Sequence, residues 1–172
     1  MSEPAARLAV QGTIWAAALL YFAALCCRCV ARKARAAPWY RRLWPLACAA
    51  YLLHVAAAFG LYHDWSHARA FAHAAHRTYE TVGWYWGGGI YVNYAFTLLW
   101  FLEAALLAFF PRLHGRLPRL AYRLWLMATW FMFFQGMVVF GQRVSRALCV
   151  LGLAACGAAW LLRGRAQQRA CA

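Results

Sequence analysis

Residues Leu8 to Cys27 read LAVQGTIWAAALLYFAALCC, twenty positions without a charge. A helix that crosses the roughly 30 Å hydrocarbon layer needs about 20 mostly apolar residues at a rise of about 1.5 Å each. The run meets that length, and it stops in the basic stretch Arg28, Arg32, Lys33 and Arg35. Four further runs obey the same rule, at about 44–62, 89–110, 121–140 and 147–162. Pro45 stands where the first turn of the second run is expected, a place that tolerates proline, and Pro111 closes the third. The last run is short and rich in Ala and Gly. If it does not cross, the count falls from five spans to four.

The rest of the chain agrees with that solvent. Of 172 residues 66% are hydrophobic and 13% are charged, against about a quarter charged in an ordinary soluble domain. A disordered tail, a collagen-like fibre and an ordinary soluble enzyme are excluded. The net charge of +14 raises the question of nucleic acid. The arginines fall between apolar blocks rather than in one stripe, so no nucleic-acid partner is expected. The expected fold is all-α, a polytopic transmembrane helical bundle forming a single membrane domain, with the lipid bilayer as its first partner.

Orientation follows from Lys and Arg, which concentrate in cytoplasmic loops. Thirteen basic residues fall in the first connection (Arg28 to Arg42), the third (Arg112 to Arg123) and the tail (Arg163 to Arg169). Five fall on the other side: Arg7, Arg69, Arg77, Arg143 and Arg146. That split places the N-terminus outside and the C-terminus in the cytoplasm. Seventeen of the eighteen basic residues are arginine and alanine is abundant, a bias expected of a GC-rich bacterial genome and so of an inner membrane. Trp15, Trp44, Tyr62, Trp84 and Trp86 lie near expected span ends, where aromatic rings anchor helices.

Between the second and third runs the period changes. Ala68, Phe71, Ala72, Ala75, Tyr79 and Val82 share one helical face, and Arg69, His73, His76, Arg77 and Glu80 share the opposite one. This is the pattern of an amphipathic surface helix over about 64–82, with Asp64 as expected N-cap and Gly83 as stop. His63, His67, His73 and His76 make it a candidate transition-metal or haem site. On one straight helix, however, the first two and the last two lie about 120° apart around the axis and roughly 15 Å apart along it. A helix break, or a second copy of the chain, is needed to bring them together.

Inside the spans stand His54, Glu103, Gln135 and Gln11. A lone carboxylate in hydrocarbon costs several kcal/mol unless it is paired, protonated or wet. His54 shares a helix side with Ala47, Ala50, Ala57 and Ala58, small residues that admit a neighbouring helix, so it is expected to face protein. By helix rise the two groups differ in depth by about 5 Å, and a His54–Glu103 pair, direct or through water, is expected. Seven cysteines, placed in or inside the membrane, form no disulfide framework. Cys149, Gly152 and Cys156 share a face expected to contact another helix.

No nucleotide loop, nucleophile elbow, HExxH or CxxC is present. The leading expectation is a non-catalytic membrane component, structural or accessory, with no cofactor called for, acting as a homo-oligomer or within a larger membrane complex. The alternatives are a metal- or haem-dependent redox or proton-handling protein using these histidines or the His54–Glu103 pair, and a small oligomeric transporter.

Overall fold

The computed structural model describes residues 3–31 and 37–171, with the side chains of 166, 167 and 169–171 left out. Arg32, Lys33 and Arg35, and the side chains of Arg169 and Cys171, therefore lie outside the described residues. Among the described residues every regular element is helical. Helix α1 spans Glu3–Val30, α2 Pro38–Tyr62, α3 His67–Val82, α4 Gly89–Phe109, α5 Pro111–Gly115, α6 Arg119–Phe134 and α7 Arg143–Cys171. A π-helical turn, Gln135–Val139, continues α6.

Among the described residues four helices are long and apolar enough to cross a membrane: α1, α2, α4 and the Arg143–Arg165 stretch of α7. The expected fifth run, 147–162, is thus the middle of a longer helix. The expected fourth run is helical throughout but divided, since α6 holds 16 residues before the π turn begins.

Helix ends differ from expectation where local chemistry wins. Helix α2 starts at Pro38 rather than near Pro45. Pro38 loses nothing at a first-turn position, whose amide has no helical partner in any case. Pro45 then sits inside the helix, where the amide bond it lacks is tolerated among packed neighbours. Asp64 is not the N-cap of α3. It and Trp65 take left-handed φ angles of 45° and 57°, and Ser66 caps the helix by accepting from the Arg69 amide at 3.4 Å. The stop at Gly83 stands: its φ is 74° and its amide bonds the Tyr79 carbonyl at 2.8 Å.

The core is aromatic and lies between α1, α2, α4 and α6. Tyr21 stacks on Phe133 with ring centres 4.1 Å apart, and Trp44 and Trp100 are fully buried beside them. Small residues let α1 and α2 come close: Ala17, Ala18 and Ala24 on one, Ala47 on the other, all fully buried. Trp44 is therefore not a boundary anchor. Helix α7 packs on α1 at Gly152, where a β-carbon would come within 2.3 Å of the Phe22 ring.

Helix α3 lies across one end of the bundle. It turns Ala70, Ala74, Ala75 and Thr78 inward, while Ala68, Tyr79 and Val82 are exposed. The inward face is about a quarter turn from the apolar one at 100° per residue. The other end carries α5, which folds back beneath α4.

Candidate functional site

Polar chemistry gathers in two places, a cavity under α3 and an ion pair near α5. The cavity, a half-open cleft of about 570 Å³, runs from His63, His73 and Thr78 down to Phe96 and Phe133. Its walls come from α1, α2, α3, α4, the end of α6, the π turn and the start of α7. Most of them are apolar, among them Ile14, Val55 and Met137. The π turn contributes Gln135 and Gly136 to the wall. Such an extra residue in a helical turn re-aims the side chains that follow.

Three of the polar residues lining this largely apolar space keep hydrogen-bonding capacity unused among the described residues. His54 Nδ1 donates to the Val10 carbonyl at 2.9 Å. A carbonyl can only accept, so Nδ1 carries the proton and Nε2 is the free acceptor of the neutral ring. Nε2 makes no hydrogen bond among the described residues, and neither do the side-chain amides of Gln11 and Asn93. The three line the cavity from α2, α1 and α4. His54 does face protein, but the protein it faces is α1.

The expected His54–Glu103 pair is not made. Glu103 accepts from Trp44 Nε1 and, at 2.7 Å, from His114 Nε2. Trp44 lies ten residues before His54 on α2, about 15 Å along the helix axis, so Glu103 sits too deep towards the α5 end to reach it. His114, which no sequence pattern singles out, is buried in α5. The one available signal was Glu103 itself, since a carboxylate in an apolar run must have a partner. His114 stands edge-on to Tyr122 at 5.3 Å between ring centres, and Tyr122 bonds Tyr40. The Arg28 guanidinium lies 4.9 Å from the centre of the Tyr122 ring. The bonds of Glu103 to Trp44 and His114 and of Tyr40 to Tyr122 tie α2, α4, α5 and α6 together, while Arg28 Nη1 is buried without a hydrogen-bond partner among the described residues.

The four clustered histidines are parted. His67 meets the Tyr94 hydroxyl at 2.9 Å, and His76 pairs with Glu80 at 3.4 Å. His63 and His73 face each other across the turn with ring centres 5.2 Å apart. Burial and the neighbouring His73 push His63 below its ordinary titration range. Burial lowers His73 in the same way, with Arg77 and His76 adding to it and Glu80 opposing. Among the described residues no group of three or more His, Cys, Asp or Glu is placed to hold a metal ion. The expected helix contact at Cys149, Gly152 and Cys156 is present: Cys149 is buried and Cys156 Sγ stands 3.5 Å from Cys26 Sγ on α1.

The chain matches no family model, no curated protein and no solved structure.

Proposed function

We propose that this chain is a multi-pass membrane protein that binds one small amphiphilic molecule in the cavity under α3, acting by binding rather than catalysis. One observation carries the reading. Three polar side chains from three helices meet at a largely apolar cavity with hydrogen-bonding capacity unused among the described residues: the amides of Gln11 and Asn93, and Nε2 of His54, whose Nδ1 is held by the Val10 carbonyl. Unpaired polar groups in hydrocarbon cost several kcal/mol, so a hydrogen-bonding guest or water belongs there. The volume of about 570 Å³ is that of a small-molecule site. An apolar body with a compact polar head that both donates and accepts fits the lining.

The same reading makes α6 and the π turn, 119–139, a fifth crossing. Arg112 lies in α5 and Arg116 caps it, Arg28 lies over Tyr122 at the start of α6, and Arg163 reaches the Cys29 carbonyl, so this end is the cytoplasmic side of an inner membrane, with α3 outside.

Native mass spectrometry of the protein released from lipid nanodiscs tests the binding. The expected result is one bound amphiphile per chain, lost in Ala58→Trp, which puts a large ring into the cavity one turn from His54. A wild type that carries no bound mass, or an Ala58→Trp variant that keeps it, overturns the reading.

A further inference from the structure

The turn after α2 does what a straight helix forbids. Asp64 and Trp65 in left-handed conformation reverse the chain, so the i, i+4 relation of His63 and His67 is lost. His73, almost two turns into α3, swings back over His63. The juxtaposition joins one histidine from each of the two sequence pairs: the first pair is broken by the turn, while His73 and His76 remain neighbours on α3.

We propose that His63 and His73 bind one divalent transition-metal ion of the zinc and copper class, with the remaining coordination positions open to the cavity mouth. The spacing fits. An imidazole nitrogen sits about 2.0–2.1 Å from such an ion, and the ring centre about 1.1 Å further. Two such arms at the tetrahedral angle end about 5.2 Å apart, and the observed separation of ring centres is 5.2 Å.

The pairing pattern fits as well. The other four histidines each have a polar partner: His54 the Val10 carbonyl, His67 Tyr94, His76 Glu80 and His114 Glu103. His63 and His73 make no hydrogen bond through their rings among the described residues. Both are held towards the neutral form, by burial first and then, for His63, by His73 and, for His73, by Arg77 and His76, and neutral imidazole is the ligand. Arg77, one turn beyond His73, is itself neutralised by Glu80 at 3.0 Å. Borderline ions prefer imidazole, whereas calcium and magnesium prefer oxygen. The site does not depend on whether the cavity holds an amphiphile.

The test is titration of the untagged, metal-free protein with Cu²⁺, read by electron paramagnetic resonance, with Zn²⁺ as competitor. One ion per chain with two coupled imidazole nitrogens is expected. His63→Phe, which keeps the ring contact with Phe59, and His73→Leu, on an exposed stretch of α3, should each weaken binding at least tenfold. His76→Ala should not. Uptake should persist below pH 6.5, where a free imidazole is already half protonated, and fail as both rings take up protons. No stoichiometric ion, fewer than two coupled nitrogens in the wild type, or equal loss in His76→Ala overturns the site. The nitrogen count needs no variant and so holds even if a substitution disturbs the fold.

Discussion

Glu103 shows how a single residue in an apolar run writes its own requirement. Its two oxygens are used, one by Trp44 Nε1 and one by His114 Nε2. Glu103→Ala leaves both buried N–H groups without an acceptor, at about 1–3 kcal/mol each. Thermal unfolding in detergent should show a clear fall in midpoint for the alanine variant. Glu103→Gln should fall less, because its amide oxygen still serves one donor. An unchanged midpoint in the alanine variant would reduce the ion pair to a bystander. The carboxylate was legible in the sequence because one charge stands out in hydrocarbon. Its partners were not, because Trp44 reads as a membrane anchor and His114 lies past Pro111 in what reads as a polar connection. Likewise, the histidine cluster could be seen in the sequence, and the His63–His73 contact could not. The contact depends on two left-handed residues, one of them a tryptophan that gives no turn signal.

At the scale of elements, α1 and α7 meet through a small residue. Gly152→Ala places a methyl within 2.3 Å of the Phe22 ring. Overpacking of this kind costs about 1–3 kcal/mol. The variant should melt lower in detergent, and a second substitution, Phe22→Leu, should restore part of the loss by withdrawing the ring. A Gly152→Ala protein as stable as the wild type would show that the helices separate freely there. The face bearing Cys149, Gly152 and Cys156 was legible from helical spacing. The extent of α7 was not, because Arg143 and Arg146 at its start and Arg163 and Arg165 near its end look like connections, while backbone hydrogen bonding carries the helix through them. Helix α3 shows the opposite failure. Its amphipathic pattern is plain, yet the face it offers to the bundle is set by Ala70, Ala74 and Thr78, small enough to let it lie close.

For the whole molecule, the number of crossings decides where the ends lie. Five crossings put the termini on opposite sides, and four put them together. A green fluorescent protein fused to the C-terminus should fluoresce in the cytoplasm, and alkaline phosphatase fused to the N-terminus should be active outside. Termini on the same side would show that α6 with its π turn does not cross. Exposed apolar residues on the four long apolar helices, such as Leu98, Leu102 and Leu151, suit a lipid-facing surface in either case. They therefore give the accessory-subunit expectation no support of its own. The cavity is walled by one chain, so the binding reading does not require an oligomer.

Hydropathy is a sum over neighbours in the chain, and for this reason the helical class, the long apolar runs and the basic asymmetry could be read from composition and spacing alone. Partner choice is a matter of distance in space. It turned on where α2 reverses, how far α5 folds back and how deep Glu103 sits. Those follow from packing between segments tens of residues apart, which no local pattern encodes. The unpaired His54 nitrogen, the Glu103–His114 pair and the facing rings of His63 and His73 became visible once the helices were assembled.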